Sequence, residues 1–264
     1  MFVIKIGGGA GINIAALAKN IASLAKAGEK IVIVNGGNHL LDQRMRDAGF
    51  EPRIVTSERG ETSRFTDETV LKFLKEIYGE IADSLVSLLR DHDVSALNLS
   101  KKDNPIVAKQ HEKMRIVENG KVKVIEGDLT GIIEKVESEK IQEVLAENKI
   151  PILHPPVKTA DSQKELNIDG DKIASQVAIA LKADKLIFFA NTDGLLKNVD
   201  DPLSKISEIS IKEADDFAIG RMKKKVLSAK RAIEAGVREV IFADGRIENA
   251  INLALDGKNG TRVF

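Results

Sequence analysis

The sequence contains no cysteine, no tryptophan and only one tyrosine. Without thiols there is no disulfide, no thiolate metal site and no cysteine nucleophile, and the composition fits a reducing compartment. A charge excess is missing as well: 40 Lys and Arg balance 40 Asp and Glu. Nucleic-acid binders carry a basic excess or a basic stripe interleaved with aromatics, and here the nine Phe and one Tyr are spread along the chain. That class is set aside. Long apolar runs are absent too. Nothing approaches the roughly 18 residues of a membrane helix, and the opening MFVIKIGGG has no basic n-region, long apolar core or cleavage site of an export signal. A cytoplasmic protein is the expectation. What remains is 264 residues, 43% of them apolar, enough for one large α/β domain or two closely packed lobes.

Short apolar runs alternate with helical spacing. Phe2–Ile6 reads as a strand that runs into Gly7, Gly8 and Gly9; Ile14, Leu17, Ala18, Ile21, Leu24 and Ala25 keep helix spacing up to Gly28. Ile31–Val34 reads as a second strand before Gly36 and Gly37, and His39–Ala48 as a second helix. This order predicts a parallel sheet with right-handed crossovers. Asp67–Arg90 is a long helix with Asp67 and Glu68 in its first turn, where the helix dipole favours negative charge. Val94–Leu99 and Ile152–His154 read as strands. Met114–Val117 and Lys121–Ile125 flank Glu118-Asn119-Gly120, a hairpin signal that predicts an antiparallel insertion interrupting the sheet. The alternation resumes with helix Asp171–Leu181, strand Leu186–Ala190, helix Met222–Ala235, strand Val240–Ala243, helix Glu248–Leu255 and strand Thr261–Val263. The predicted class is α/β, a three-layer α/β/α open and mainly parallel sheet with a hairpin insertion. The lobe boundary is expected near Ala180–Asp184, giving lobes 1–181 and 182–264.

Five segments carry possible chemistry. Lys5-Ile6-Gly7-Gly8-Gly9 puts glycine amides at a strand end, where they can approach an anion. Lys5 is a lysine in an otherwise apolar strand: either it faces a site, or the strand lies at an edge and Lys5 is in solvent. Val34-Asn35-Gly36-Gly37-Asn38 repeats the arrangement one crossover later; two such loops at neighbouring strand ends could build one anion cradle, or each could be an ordinary turn. In Ser63-Arg64-Phe65-Thr66-Asp67, Arg64 could grip a carboxylate in a bidentate manner, or sit on the surface beside an N-capping Thr66. In Leu166-Asn167-Ile168-Asp169-Gly170-Asp171, Asp169 or Asp171 could be a helix cap, or Asn167 a ligand donor and Asp171 an organiser of lysines. Gly220-Arg221-Met222-Lys223-Lys224-Lys225 is either a solvated helix start or positive charge waiting for a phosphate, since it opposes the helix dipole.

These five motifs, in this order over essentially the whole chain, resemble the amino acid kinase family. Within it they are most similar to N-acetylglutamate kinase and to the kinase of lysine biosynthesis whose 2-aminoadipate is attached through its amino group to a small acidic carrier protein. In some archaea that enzyme also takes carrier-linked glutamate toward arginine. GGGAGIN, SRFTDE, ENGKVKV, NIDGDKIA, GRMKKKV and FADGRIEN look most like the carrier-dependent branch. The resemblance implies ATP and Mg²⁺ as cofactors. It implies that Lys5 and Lys225 neutralise the transferring phosphoryl group, with Asp171 orienting both. It implies that Gly37, Asn38, Arg64 and Asn167 hold the substrate, and that Gly7, Gly8, Asn191, Thr192, Asp193 and Gly194 line the nucleotide. The N-terminal lobe would bind the acyl substrate and form a homodimer; the C-terminal lobe would bind the nucleotide.

The chain departs from the family pattern at Asn35, where histidine is usual, at Asn38, where the loop ends without a glycine, and in Ala190-Asn191-Thr192-Asp193, where the aspartate comes one position late. A carboxylate nucleophile with a pKa of about 4.3 is ionised at neutral pH, which explains the lack of an obvious His–Asp pair. Carrier contact is expected at the hairpin Met114–Ile125 with Lys101, Lys102, Lys109, Lys113 and Arg115; the alternative is a solvated hairpin. The rival readings are an N-acetylglutamate kinase using the free small molecule and a non-catalytic nucleotide-binding protein on the same fold. The length leaves no room for the regulatory domains of aspartokinases or glutamate 5-kinases. Feedback control is not expected, because the helix that precedes the first strand in the arginine-sensitive branch is absent.

Overall fold

The computed structural model describes residues 1–58, 60, 62–111 and 113–264, leaving aside the side chains of Pro202 and Arg221. In chain order, β1 (Phe2–Ile6), α1 (Ile14–Lys26), β2 (Ile31–Asn35) and α2 (Asn38–Asp47) make the opening crossovers. They are followed by β3 (Ile54–Thr56), β4 (Thr62–Arg64), α3 (Glu68–Arg90), β5 (Ala96–Asn98) and α4 (Leu99–Asp103). The middle of the chain contains β6 (Ile106–Gln110), β7 (Met114–Glu118), β8 (Lys121–Ile125), β9 (Gly131–Val136), α5 (Ser138–Ala146), β10 (Ile150–Leu153), β11 (Val157–Thr159) and β12 (Glu165–Leu166). The last part is α6 (Gly170–Ala180), β13 (Lys185–Ala190), β14 (Glu208–Ile209), α7 (Ile211–Ala214), α8 (Arg221–Glu234), β15 (Glu239–Asp244), α9 (Ala250–Leu255) and β16 (Thr261–Val263).

Eight strands form one sheet in the order β14-β16-β15-β13-β1-β2-β10-β5. Neighbours from β15 to β5 are parallel, while β16 runs antiparallel to β15. Side chains alternate between two apolar cores. Val3, Val32, Val34, Phe188 and Phe242 pack on one face, and Ile4, Ile6, Ile33, Phe189 and Ile241 on the other. Because helices cover both faces, the strands read as unbroken apolar runs instead of alternating polar and apolar residues. α5, α6 and α8 cover the first face, and α1, α3 and α9 the second. The sheet is continuous across the expected boundary at residues 181–182, since every residue of β1 pairs with β13.

The structure changes three expectations. The hairpin β7–β8 does not interrupt the large sheet; it is a separate two-stranded ribbon that packs beside β3. Its strands are largely exposed, so they lack the two apolar faces that membership of a covered sheet requires. A four-stranded sheet, β12-β11-β6-β9, was not expected at all. Its strands are two to six residues long, too short to give a clear periodic signal. And Thr66 is not the cap of α3. Asp67 caps it, accepting from the Val70 amide at 2.9 Å, so the helix itself begins at Glu68. Among the described residues no helix is long and apolar enough to cross a membrane.

Candidate active site

β1 lies in the middle of the sheet, between β13 and β2, so the edge-strand reading of Lys5 is excluded. Its side chain points to the α6 face and is only 9% exposed. Its partner comes from the first turn of α6. Asp169 caps that helix by accepting from the Asp171 amide at 2.8 Å, which turns the Asp171 carboxylate inward. Lys5 Nζ lies 2.8 Å from Asp171 Oδ1, and Lys225 of α8 donates to Oδ2 at 2.7 Å. One buried carboxylate therefore holds two buried ammonium groups, brought together from positions 5, 171 and 225. Burial by itself would raise the Asp171 pKa, but Lys225 and Lys5 outweigh it and hold the group well below the usual carboxylate range. Burial lowers the Lys225 pKa, with Lys5 adding to the effect and Asp171 opposing it. The Lys225 ammonium also sits 5.6 Å from the Phe188 ring centroid. Lys224 reaches Asp169 at 3.8 Å.

The two glycine loops touch. A Cβ placed on Gly8 would come within 2.6 Å of Gly37 Cα and still nearer the Gly37 and Asn38 amide nitrogens. The Asn38 loop is tied down by the His39 amide donating to Gly8 O at 2.8 Å, and the Gly36 amide donates to Ile6 O at 2.8 Å. Lys5 Nζ lies under Gly36. Backbone amides and an ammonium thus converge at the carboxyl ends of parallel strands, where open α/β sheets bind ligands. Gly8→Ala is expected to force the loops apart and lower turnover by about a hundredfold, the scale of losing one preorganised donor. It should leave circular dichroism unchanged, and near-native turnover would contradict the cradle.

The candidate substrate residues gather on the α2–α3 side. Arg64 is 9% exposed on its side chain, forms a short ion pair with Asp42 of α2 and approaches Met45 Sδ at 3.9 Å. Asn167 donates from Nδ2 to Thr66 Oγ1 at 3.0 Å. Thr66 is in turn held by Asp128, which accepts from its amide at 3.0 Å and also binds Thr130. Asn38 accepts from Tyr78 of α3 at 2.8 Å. Asp42, Tyr78 and Asp128 have no signal in the sequence, because their partners lie 22, 40 and 62 residues away. Asn35, which stands in place of the usual histidine, is fully buried and donates to Tyr78 O at 3.2 Å.

On the candidate nucleotide side, Asn191 packs its side chain against Gly9, bringing the loop after β13 to the first glycine loop. Thr192 is exposed next to it. Asp193 is engaged elsewhere: Arg246 donates to it at 2.7 Å and grips Asp244 through two further bonds of 2.8 Å. Gly194, at φ 115°, is wedged against β16, where a Cβ would lie 2.6 Å from Thr261 Oγ1. Its glycine is therefore required by packing. Arg246 is a further residue that sequence reasoning missed, although it lies within the FADGRIEN stretch.

Paired ammonium groups on one buried carboxylate, next to a backbone amide cradle, define a site built to receive anionic oxygens, as phosphoryl transfer demands. The description "Amino acid kinase family" matches residues 1–244, and the chain belongs to that family. It is 38% identical over 270 residues to the LysW-aminoadipate kinase of Thermus thermophilus, with both chains fully covered. It is 40% identical over 268 residues to the LysW-aminoadipate kinase of Deinococcus radiodurans, covering all of this chain and 91% of the other. The LysW-aminoadipate/LysW-glutamate kinase of Metallosphaera sedula is 33% identical with both chains fully covered. Among solved structures, N-acetylglutamate synthase from Neisseria gonorrhoeae, complexed with coenzyme A and N-acetyl-glutamate, superposes with a TM-score of 0.80 at 25% identity. That match covers 99% of this chain and 58% of the synthase. Giardia lamblia carbamate kinase bound to AMP-PNP shares the fold, with a TM-score of 0.67 at 18% identity over 100% of this chain and 98% of the other.

Proposed function

We propose that this enzyme transfers the γ-phosphoryl group of ATP to the distal carboxylate of 2-aminoadipate or glutamate whose amino group is linked to a small acidic carrier protein. The product is an acyl phosphate of lysine or arginine biosynthesis. The observation that carries the reading is the Lys5–Asp171–Lys225 cluster beside the apposed glycine loops. It is supported by full-length similarity to relatives named for that reaction.

In this reading a substrate carboxylate oxygen attacks the γ-phosphorus, a new O–P bond forms, the bond to the β–γ bridging oxygen breaks, and ADP leaves with that electron pair. The nucleophile is already ionised, so no general base is required. Buried His154 fits this, with its ring nitrogens 2.7 Å from Pro155 O and 3.1 Å from Asn98 Oδ1. The difficulty is bringing two anions together, and Lys5, Lys225 and the loop amides offset that repulsion. Mg²⁺ arriving with ATP would supply further neutralisation. Among the described residues no three His, Cys, Asp or Glu side chains gather to hold a metal.

Residues 1–181 bind the acyl substrate and form the homodimer, and residues 182–264 bind the nucleotide, in the cytoplasm. Arg64, Asn167, Gly37 and Asn38 hold the substrate; Gly7, Gly8, Asn191 and Thr192 line the nucleotide, with Asp193 and Gly194 shaping that loop. Arg64→Ala is expected to raise the KM of the carboxylate substrate roughly tenfold, the value of a charge-assisted hydrogen bond, while kcat stays near native. A change in kcat alone would remove Arg64 from the holding role.

The acidic carrier docks on the exposed hairpin. Lys113 and Arg115 stand at its start and Lys121 and Lys123 on its second strand, with Lys109 on β6 and Lys101 and Lys102 on α4. Arg115, Lys101 and Lys123 are paired with Glu58, Asp83 and Glu118, so the steering charge is carried mainly by Lys102, Lys109, Lys113 and Lys121. The test is acyl phosphate trapping with hydroxylamine using three acceptors: free N-acetylglutamate, carrier-linked aminoadipate and carrier-linked glutamate. Activity confined to the carrier-linked acceptors is expected. Strong activity with free N-acetylglutamate would overturn the carrier reading.

A further inference from the structure

Tyr78 is the only tyrosine in the chain, and the mechanism above makes no use of it. It is buried on α3, 5% exposed. Its ring packs against the second glycine loop, so that a Cβ on Gly37 would meet two of its ring carbons at 2.8 Å. Its hydroxyl donates to Asn38 Oδ1 at 2.8 Å. A carboxamide has one acceptor end and one donor end. If the acceptor end is taken by the phenol, the NH₂ end is left for something else. Asn38 itself is exposed, and its backbone nitrogen lies against Gly8 of the first loop, which puts the residue at the mouth of the anion cradle.

In the structure the phenol is the donor of this bond and Asn38 Oδ1 the acceptor. Burial raises the phenol pKa far above its ordinary value, outweighing the opposing influence of Arg64 and of Gly37, so the hydroxyl stays a donor at any working pH. The same group lies in the field of Arg64, Asp42 and Asp169, at the junction of the substrate-holding and reaction centres.

We infer that Tyr78 is a positioning residue that fixes the amide orientation of Asn38, so that the Asn38 NH₂ is presented as a hydrogen-bond donor to an anionic oxygen of the reacting groups. A glycine at this position would have no side-chain donor; Asn38 adds one, and Tyr78 keeps it from presenting its carbonyl to an anion instead. The inference rests on the proposed kinase reading, and it adds the residue that orients Asn38, which that reading already sets against the substrate.

The test is a double-mutant cycle on the full chain with Tyr78→Phe and Asn38→Ala. Tyr78→Phe is expected to lower kcat/KM about tenfold in the native background, the scale of one net hydrogen bond, and to have no further effect in the Asn38→Ala background. A loss carried by KM for the carboxylate acceptor assigns the donor to the substrate carboxylate; a loss carried by kcat assigns it to the transferring phosphoryl oxygens. Asn38→Asp, which replaces the donor with an anion, is expected to fall below Asn38→Ala. Native kinetics in Tyr78→Phe would overturn the inference, as would a Tyr78 effect that persists in full without Asn38, or an Asn38→Asp enzyme as good as Asn38→Ala. A readout that needs no turnover keeps this separate from failure of the kinase reading. With no tryptophan and one tyrosine, the near-ultraviolet absorption and fluorescence of the protein report the Tyr78 phenol alone among its side-chain chromophores of that type. Asn38→Ala is expected to shift both, and an unshifted spectrum would overturn the contact. Absence of wild-type turnover with every acceptor would instead count against the proposed reaction.

Discussion

Lys5→Ala and Lys225→Ala are each expected to lower kcat by a hundredfold to a thousandfold, about 3–4 kcal/mol of transition-state stabilisation, the loss seen when one preorganised electrostatic donor is removed. The geometry supports the size of the effect. Both ammonium groups are withdrawn from solvent, at 9% and 14% side-chain exposure, where a charge interacts more strongly than it would in water. They also act from opposite sides of one carboxylate, so neither can take over the position of the other. Steady-state hydroxamate assays with saturating ATP check this, and unchanged turnover in either variant would remove that lysine from the reaction centre. The double variant is expected to lose less than the sum of the two, because both act on one transferring group.

Asp171 gives the second large effect, and it is felt in stability and in pH dependence. Asp171→Ala leaves two buried ammonium groups facing each other with no anion between them. Removing one partner from a buried ion cluster costs about 3–5 kcal/mol, and the melting temperature should fall accordingly. The carboxylate's folded-state pKa is depressed by Lys225 and Lys5 against the opposing effect of burial. Its contribution is therefore present above the ordinary unfolded value of about 3.9 and is lost as pH falls below it. Wild type should thus lose stability steeply in acid, and Asp171→Asn should lose that part of the acid dependence. At the alkaline end the sign reverses. Burial already lowers the Lys225 pKa, and Asp171 holds it up. In Asp171→Asn that support is gone, so Lys225 should deprotonate at lower pH and the basic limb of the kcat profile should move to lower pH. A basic limb that stays in place would mean that Lys225 need not be charged for turnover.

Much of the sheet could be read directly, for identifiable reasons. The central strands of the covered sheet are four to six residue, largely apolar runs such as Ile31–Asn35 and Lys185–Ala190, and the helices between them keep strong periodicity. Asn119-Gly120 marked its hairpin correctly, because both residues adopt the positive φ that the turn requires. The placement of that hairpin outside the large sheet was not legible, and neither was the sheet β12-β11-β6-β9. Short strands of mixed polarity acquire their identity from the partner they meet, and sequence spacing carries no record of that partner.

The chain by itself determined the alternation of strand and helix, the two glycine loops, and the presence of lysines and an aspartate at the ends of apolar segments. Local backbone preference and burial periodicity act over a few residues and are written in consecutive positions. Only the tertiary structure decided that Lys5 lies at the centre of the sheet, that Asp171 stands between Lys5 and Lys225, that Asp42 is the partner of Arg64, and that Tyr78 holds Asn38. Each of these joins positions distant along the chain, and electrostatic and hydrogen-bond energies depend on distance in space, which the order of residues does not encode until the sheet has closed.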